Sequence, residues 1–421
     1  MQLALKSVHA GRVRRWATTM TLVGVLSFAA TGTASAATAA SGYTVSNFAT
    51  GFHNIPARGL GPTGVAFGPS GTLFVSDVPD GHVYEFGSAG GVADASTMIN
   101  PSSPFPRDDI RGLAFGQNGE LFLAQALGNK VVQIDPGDGH VVRTVTTTIQ
   151  CPVGLAVQPG TGDLFVTSPK CSTAVWRISA PGSANPTVAP FATNLQSVDG
   201  IAFAPNGDMW LASMGGSILR IPVGTSTPAV VANVPLADGL AIQAGPGGAA
   251  AAVFVNSNDG NITRVDATNG STTPVMSGGS RGDFMIAGPD GALYATQTDR
   301  VLRITRSGGG GGIPGVVPTN PGSKNPKRLR ATDVIRMQTA NGCLRKRRVR
   351  VRLVRFSGVK FASAVVRVNG RKVRTVSGRA LRQPIILRKL TGRRIRVKVA
   401  LKTASGRTFS LTRRYRFCAG S

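Results

Sequence analysis

One pattern recurs six times along the chain, at a spacing of about forty residues. In the first five copies a glycine precedes an apolar strand, and in every copy a Gly-containing turn then reverses the chain and two further strands flank a polar loop. The copies begin at Gly64, Gly112, Gly154, Gly200, Gly239 and Phe284, so successive starts lie 48, 42, 46, 39 and 45 residues apart. A period in the forties with short strands and glycine turns is typical of β-propeller blades.

The ends of this repeat region predict how the ring closes. Most spacers supply a fourth, outer strand, such as HVVRTVTT from His140 and PAVVANV from Pro228, but the sixth copy runs directly into the glycine run that follows Ser307. The run YTVSNFAT at Tyr43 can supply the missing strand. We therefore predict an all-β fold with a six-bladed β-propeller over residues 42–306; a solenoid is the alternative.

The first 36 residues have the features of a secretory signal peptide. Four basic residues precede an apolar run over about residues 16–30, and an A-x-A cleavage site ends at Ala36. The Arg14–Arg15 pair leaves twin-arginine export open beside the general secretory route. No other stretch reaches the roughly 18 apolar residues that a membrane span needs. We expect a monomeric protein that is secreted or associated with the cell wall.

The four cysteines are predicted to form two disulfides, because export places them in an oxidising compartment. Neither Cys151/Cys171 nor Cys343/Cys418 has the spacing of metal ligands. Cys151 precedes an inner strand and Cys171 follows the second strand of the same predicted blade. These positions belong to loops on one face of a propeller.

The net charge of +28 comes from one end of the chain. Residues 42–323 contain 13 basic and 18 acidic residues, whereas residues 324–421 contain 30 basic residues and a single acid, Asp333. Between the two regions, residues 307–328 are rich in glycine and proline and are predicted to be a linker.

Residues 329–421 alternate in the period of a β-strand. RVRVRLVRF from Arg348 places valine and leucine on one face and arginine on the other, and Asn369–Gly370 marks a hairpin. We predict a small β-sandwich, closed by a bond between Cys343 and Cys418. The pattern resembles the basic Ig-like domains appended to secreted actinobacterial proteins.

One position of the repeat carries the candidate site. The residue before each repeat start lies near the mouth of the central channel, and round the ring these residues are Thr63, Arg111, Val153, Asp199, Asp238 and Asp283. Three consecutive carboxylates suit a divalent cation such as Ca²⁺, which prefers oxygen ligands. The alternative is that Asp–Gly simply begins a strand after a turn.

The segments GVAFGPSGTLFVSD and DGIAFAPNGDMWLAS resemble the six-bladed propellers of the senescence marker protein/gluconolactonase family and the NHL-repeat proteins. The resemblance implies a metal held by a first-blade Glu, an Asn and an Asp. Asp238 matches that Asp, Asp199 stands where the Asn would, and Thr63 replaces the Glu. Asp283 is an additional acid. The family's ligand set is thus incomplete, and propellers of this kind include hydrolases, lyases and binding modules.

If the chain is a hydrolase of lactones or esters, a bound metal would polarise the carbonyl, and Asp199 or Asp238 would act as general base. Arg111 would hold an anionic group of the substrate, or would only neutralise the carboxylates. His53, His82 and His140 fall outside the mouth position, which argues against the histidine-dependent propeller lyases and paraoxonase-like lactonases. We expect His53 to be an ordinary surface residue.

The second hypothesis is a binding protein without catalysis. Its propeller would take a small molecule or glycan on the top face, and its basic domain would anchor it to anionic polymers of the cell wall or envelope. Nucleic acid is a further alternative, because contacts with a phosphate backbone need only charge.

Overall fold

The computed structural model describes residues 37–100, 102, 104–308, 312–316, 331–338, 343–354, 361–403 and 408–418. The predicted signal peptide and most of the predicted linker lie outside these residues. Strands dominate the described chain, which confirms the all-β prediction; the single α-helix is the short Ala331–Val334. No helix in the described ranges has the length and apolar character to cross a membrane.

Six antiparallel sheets follow one another between residues 62 and 306, and in each the first strand in sequence is the innermost. The strands of the first three sheets are Pro62–Phe67, Leu73–Asp77 and His82–Phe86; Ile110–Phe115, Leu121–Gln125, Lys130–Ile134 and Val141–Thr146; and Leu155–Val157, Leu164–Val166, Val175–Ser179 and Thr187–Ala192. The strands of the fourth sheet are Val198–Phe203, Met209–Ser213, Ser217–Ile221 and Ala229–Asn233. The fifth sheet includes Ala237–Ala244, Ala250–Ser257, Ile262–Asp266 and Thr272–Ser277, and the sixth includes Gly282–Ala287, Leu293–Gln297 and Val301–Arg306.

The innermost strands form a closed ring, in which each contacts the next and that of the sixth sheet contacts that of the first. The repeat glycines permit this packing. A Cβ at Gly112 would lie 2.4 Å from the carbonyl oxygen of Val153, and a Cβ at Gly200 would lie 1.8 Å from that of Asp238. Neither distance is compatible with a side chain. The glycine therefore brings the backbone of the following sheet to one fixed position.

The aromatic residues of the repeat form the core between the sheets. All seven are buried, as their strand period predicts: Phe67, Phe74, Phe115, Phe122, Phe165, Phe203 and Trp210. Edge-to-face ring contacts join neighbouring sheets, for example Phe74 with Phe115 at 5.1 Å between centroids and Phe165 with Phe203 at 5.2 Å.

Both ends of the repeat region build the sixth sheet. The strand Tyr43–Thr50 pairs antiparallel with Val301–Arg306, with Tyr43 opposite Arg306, so the predicted closure is confirmed. Two short strands were not expected from the sequence. Thr38–Ala39 adds to the outer edge of the fifth sheet, and Gly91–Val92 pairs in parallel with the closing strand.

The C-terminal residues form two sheets around a hydrophobic core of their own. One contains Ile335–Met337, Val349–Leu353 and Ile385–Leu387; the other contains Phe361–Val368, Arg371–Ser377, Arg394–Thr403 and Thr408–Arg416. Short 3₁₀ turns occur at Pro56–Arg58, Pro246–Gly248 and Gly378–Arg382. Both predicted disulfides, Cys151–Cys171 and Cys343–Cys418, are confirmed.

The C-terminal sheets dock on the first two sheets of the ring through Arg352. This side chain is buried, and it donates hydrogen bonds to the carbonyl oxygens of Met98 at 3.1 Å and Gly137 at 3.3 Å. It also pairs with Glu85, with 3.4 Å between Nη1 and Oε1. A buried guanidinium needs such partners, since burying an unpaired charge is costly.

The closing strand is expected to matter for the stability of the whole ring. Phe48 is buried between Tyr294 of the sixth sheet, at 4.8 Å, and Phe86 of the first, at 6.4 Å. Phe48→Ala should lower the free energy of unfolding by about 3 kcal/mol, because it leaves a cavity where the two ends of the chain meet. Denaturant unfolding measures this loss.

The matched control is Val230→Ala, at a side chain that is 62% exposed on an outer strand. It should change stability by no more than about 0.5 kcal/mol. Equal effects of the two substitutions would contradict the role assigned to the closing strand.

Candidate functional site at the channel mouth

Three aspartates occupy equivalent positions in consecutive sheets. Asp199, Asp238 and Asp283 are each the second residue of an innermost strand, and all three are buried. Their common height follows from the glycine packing, because Gly200 lies against the carbonyl of Asp238 and Gly239 lies against that of Asp283. The repeat thus brings three carboxylates to one end of the channel.

Arg281, which the repeat pattern does not single out, pairs with two of these aspartates. Its Nη1 donates to Oδ2 of Asp283 at 2.5 Å, and its Nη2 lies 3.7 Å from Oδ2 of Asp238. A further hydrogen bond to the carbonyl oxygen of Gly59, at 3.0 Å, fixes the guanidinium between the last sheet and the loop that leads to the first. Its only sequence signal is its place two residues before a mouth aspartate.

Arg111 lies close enough to act electrostatically but does not form an ion pair within 4.0 Å among the described residues. Its Nη1 donates to the carbonyl oxygen of Ile110 at 2.9 Å. Burial lowers the pKa of Arg111, while the charges of Asp283 and Asp199 oppose that shift. Thr63 lies near enough to Asp283 to favour its charged carboxylate, while its hydroxyl donates to the carbonyl oxygen of Gly61 at 3.4 Å.

Asp238 is the least compensated member of the cluster. It is fully buried, and neither of its carboxylate oxygens has a hydrogen-bond partner among the described residues. Asn258 lies near enough to favour the charged form without reaching hydrogen-bond geometry. Burial, with the charges of Asp199 and Asp283, raises the pKa of Asp238 well above its ordinary value.

The other two aspartates are shifted in the same direction. Burial and the charge of Asp283 raise the pKa of Asp199 to about 7, against the lowering effects of Arg281 and Arg111. Burial also raises the pKa of Asp283, although its bond to Arg281 limits the rise. Arg281 keeps a raised pKa because the carboxylates outweigh its desolvation. At neutral pH the cluster therefore carries fewer negative charges than three ionised aspartates would.

The mouth does not present a ready-made metal cage. The three aspartates do not each bring an oxygen to within 4.8 Å of the other two, although all three are described. Arg281 occupies the position between Asp238 and Asp283. Asp199, Asp238 and Asp283 could hold a cation together only if this guanidinium moved aside.

The shift at Asp199 predicts a pH effect on stability. Because its folded-state pKa of about 7 exceeds the ordinary 3.8, the folded state binds the proton more tightly than the unfolded chain between these values. This stabilisation is present at low pH and is lost as the pH rises through 7. Asp199→Asn, which mimics the protonated acid, should leave the melting temperature unchanged at pH 4.5 and raise it at pH 8.

Asp259→Asn on an exposed turn is the control for this comparison, and its effect should not depend on pH in this way. A melting temperature of Asp199→Asn below that of the unsubstituted protein at pH 8 would show that Asp199 is stabilised as a carboxylate in the folded state.

Solved structures with this architecture include gluconolactonases. The chain is similar to a protein provisionally assigned as a gluconolactonase, with 16% identity over 64% of this chain and 94% of that one, at a TM-score of 0.50. It is also similar to a gluconolactonase of Xanthomonas campestris, at 16% identity, 63% and 90% coverage and a TM-score of 0.49. Virginiamycin B lyase from Staphylococcus aureus matches at 13% identity, 62% and 99% coverage and a TM-score of 0.42.

No family model matches the chain, and no curated protein matches it. At these identities the likeness extends to the fold alone. One structural neighbour of this all-β chain, at a TM-score of 0.50, is a gluconolactonase-like β-propeller protein.

Proposed function

We propose that the chain is a secreted, monomeric binding protein, in which a basic Ig-like domain holds a six-bladed propeller against anionic polymers of the cell envelope. The observation that carries this proposal is a continuous basic face on the four-stranded C-terminal sheet. The propeller then presents its top face to a small molecule or glycan.

The basic face arises from strict alternation. In the strand Arg394–Thr403 the side chains of Ile395, Val397, Val399 and Leu401 are buried, whereas those of Arg394, Arg396, Lys398 and Lys402 are exposed. One strand therefore supplies both the apolar floor of the sandwich and a row of cations.

The register of the neighbouring strands extends this row across the sheet. Arg396 lies opposite Arg414, and Arg394 lies opposite Arg416. On the other side Lys398 lies opposite Arg367, which in turn lies opposite Lys372. All these side chains are exposed. Residues opposite each other in a sheet share a face, so the cations form one surface, defined here as the basic face.

Self-repulsion makes this arrangement unfavourable for folding alone. Like charges directly opposite in a sheet are destabilising, and residues 324–421 contain only one acid to offset thirty cations. Arg forks match the oxygens of phosphate and carboxylate, and a polyanion releases its counterions when such a surface binds it. An exported protein meets anionic wall polymers first, which favours these over nucleic acid.

The basic face predicts salt-dependent binding. Co-sedimentation of the full chain with purified cell walls should show an association constant that falls linearly with salt concentration on logarithmic axes. Replacing Arg396 and Arg414 together by serine should reduce the slope by about 2, because each phosphate contact contributes close to one counterion.

Arg107→Ser, at an exposed arginine on a ring loop, is the matched control and should leave the slope unchanged. Binding to walls that does not respond to salt would contradict the electrostatic account. Parallel titrations with vesicles of anionic lipid and with a DNA duplex measure the affinity of the chain for the other polyanions.

We propose a second candidate function for the chain, in which the channel mouth holds a divalent cation that supports hydrolysis of a lactone or ester. The two buried oxygens of Asp238 are the observation in its favour, because neither has a hydrogen-bond partner among the described residues and hard cations such as Ca²⁺ take carboxylate oxygens. Asp199, Asp238 and Asp283 would hold the cation, which when bound supplies Lewis-acid polarisation of a carbonyl.

The side chains divide the remaining tasks. Asp199, whose pKa is raised to about 7 by burial, would serve as general base near neutral pH, with Asp238 as the other candidate. Arg111 would orient an anionic group of the substrate from the opposite side of the mouth. Arg281 would have to release Asp238 when a cation binds.

This competition can be measured. Calorimetric titration with Ca²⁺, Mg²⁺ and Mn²⁺ should detect binding to the full chain that an Asp199→Ala, Asp238→Ala variant lacks. Arg281→Gln should bind Ca²⁺ on the order of tenfold more tightly, because it removes the competing cation from Asp238 and Asp283. Absence of binding in both the unsubstituted protein and Arg281→Gln would reject the cation site.

A further inference from the structure

A second group of polar side chains lies at the first sheet of the ring. It comprises His53, on the loop that precedes the strand Pro62–Phe67, Asp77, at the end of Leu73–Asp77, and Asp80, in the turn that follows. One ligand atom from each of these residues lies within 4.8 Å of those of the other two. The mouth aspartates do not meet this condition.

The three residues are positioned by short contacts. The backbone N–H of His53 donates to Oδ2 of Asp77 at 2.9 Å, and Nδ1 of His53 lies 3.0 Å from Oδ2 of Asp80. Asp80 is held in turn by Tyr84, whose hydroxyl donates to Oδ2 at 2.7 Å, and by the backbone N–H of His82, which donates to Oδ1 at 2.8 Å. Supporting hydrogen bonds of this kind orient the ligands of metal sites.

Asp77 supplies an independent observation. The residue is fully buried, yet its Oδ1 has no hydrogen-bond partner among the described residues. Its pKa is raised to about 8 by burial and by the neighbouring charge of Asp80. A buried, unsatisfied oxygen is costly and requires an explanation such as an ion.

No basic side chain does here what Arg281 does at the mouth. Among the described residues, the ion pairs of Asp80 are with His53 and His82 only, and Asp77 has no ion pair. Among the described residues, two acidic side chains therefore lie together with no lysine or arginine paired to either. A bound dication would neutralise both.

We propose that His53, Asp77 and Asp80 bind a divalent transition-metal ion of the Zn²⁺ type. One imidazole nitrogen and two carboxylate oxygens form the mixed donor set that Zn²⁺ accepts, with water in the fourth position. Ca²⁺ and Mg²⁺ prefer oxygen ligands alone, so the histidine separates this site from the oxygen-only cluster of the mouth.

A metal at this site would cross-link two parts of the ring. His53 follows the closing strand Tyr43–Thr50, which belongs to the sixth sheet, whereas Asp77 and Asp80 belong to the first sheet. A metal bound to all three would join the N-terminal segment to the sheet on which the ring closes. Binding to the folded state alone stabilises that state.

The test uses the full chain freed of metal by chelation. Titration with ZnCl₂ should show binding, and an excess near 100 times the dissociation constant should raise the melting temperature by about 4 °C. His53→Ala should weaken this binding by about 100-fold and abolish the thermal shift, since loss of a supporting residue alone costs 10–100-fold. Asp77→Asn should do the same.

His140→Ala is the matched control, because Asp135, Asp138 and His140 form another group with ligand atoms within 4.8 Å of one another. It should retain the Zn²⁺-dependent rise. His53 is exposed, so His53→Ala should melt at the unsubstituted temperature without metal. Equal Zn²⁺ binding by His53→Ala, or no thermal shift in the unsubstituted protein, would overturn the proposal.

The result is separable from the cation site of the mouth. Asp199→Ala, Asp238→Ala should leave the Zn²⁺ shift intact, and His53→Ala should leave any response to Ca²⁺ intact. Loss of the Zn²⁺ shift in the mouth variant but not in His53→Ala would place the metal at the mouth and contradict the inference.

Discussion

The close approach of the innermost strands is the constraint on which the ring depends. At Gly200 the neighbouring backbone comes so near that a Cβ would lie 1.8 Å from a carbonyl oxygen, and the other repeat glycines meet similar contacts. This packing brings the start of each inner strand to the same end of the channel. The position of the candidate site is therefore a consequence of backbone contact, and the side chains at that position are free to vary from sheet to sheet.

That freedom explains the mixed chemistry of the mouth. Three sheets carry aspartate, whereas the others carry Thr63, Arg111 and Val153. Burial disfavours the ionised form of the aspartates, so their pKa values rise. Arg281 offsets part of the remaining negative charge through its ion pair with Asp283. In a cation site the aspartates would bind the metal ion and Arg281 would compete with it. In the proposal of a cation site, the balance between this ion pair and metal binding would depend on the guanidinium of Arg281.

In the C-terminal sheets most charged side chains are exposed, in contrast to the buried aspartates of the mouth. There the cations remain exposed on the basic face, where water screens their repulsion, while the alternating apolar side chains form the core. Arg352 is the exception. It is buried against Glu85 and the carbonyls of Met98 and Gly137, and it ties the C-terminal sheets to the ring. Contact between the two regions could not be inferred from an alternating pattern, since Arg352 occupies a place in that pattern like those of Arg348, which is exposed, and Arg350, which is half-buried.

The sequence by itself determined most of the strands, the repeat, the closing strand at Tyr43 and both cysteine pairs, because each depends on local periodicity or on a fixed place within the repeat. It also indicated Asp199, Asp238 and Asp283 as neighbours by register. Only the tertiary structure revealed Arg281, the orphaned oxygen of Asp77 and its proximity to His53, which the sequence suggested was an ordinary surface residue. Arg281 and His53 lie in loops outside the repeat, whereas Asp77 ends a repeat strand. The distances that bring these side chains to their partners depend on how separate sheets meet, and no period in the sequence encodes them.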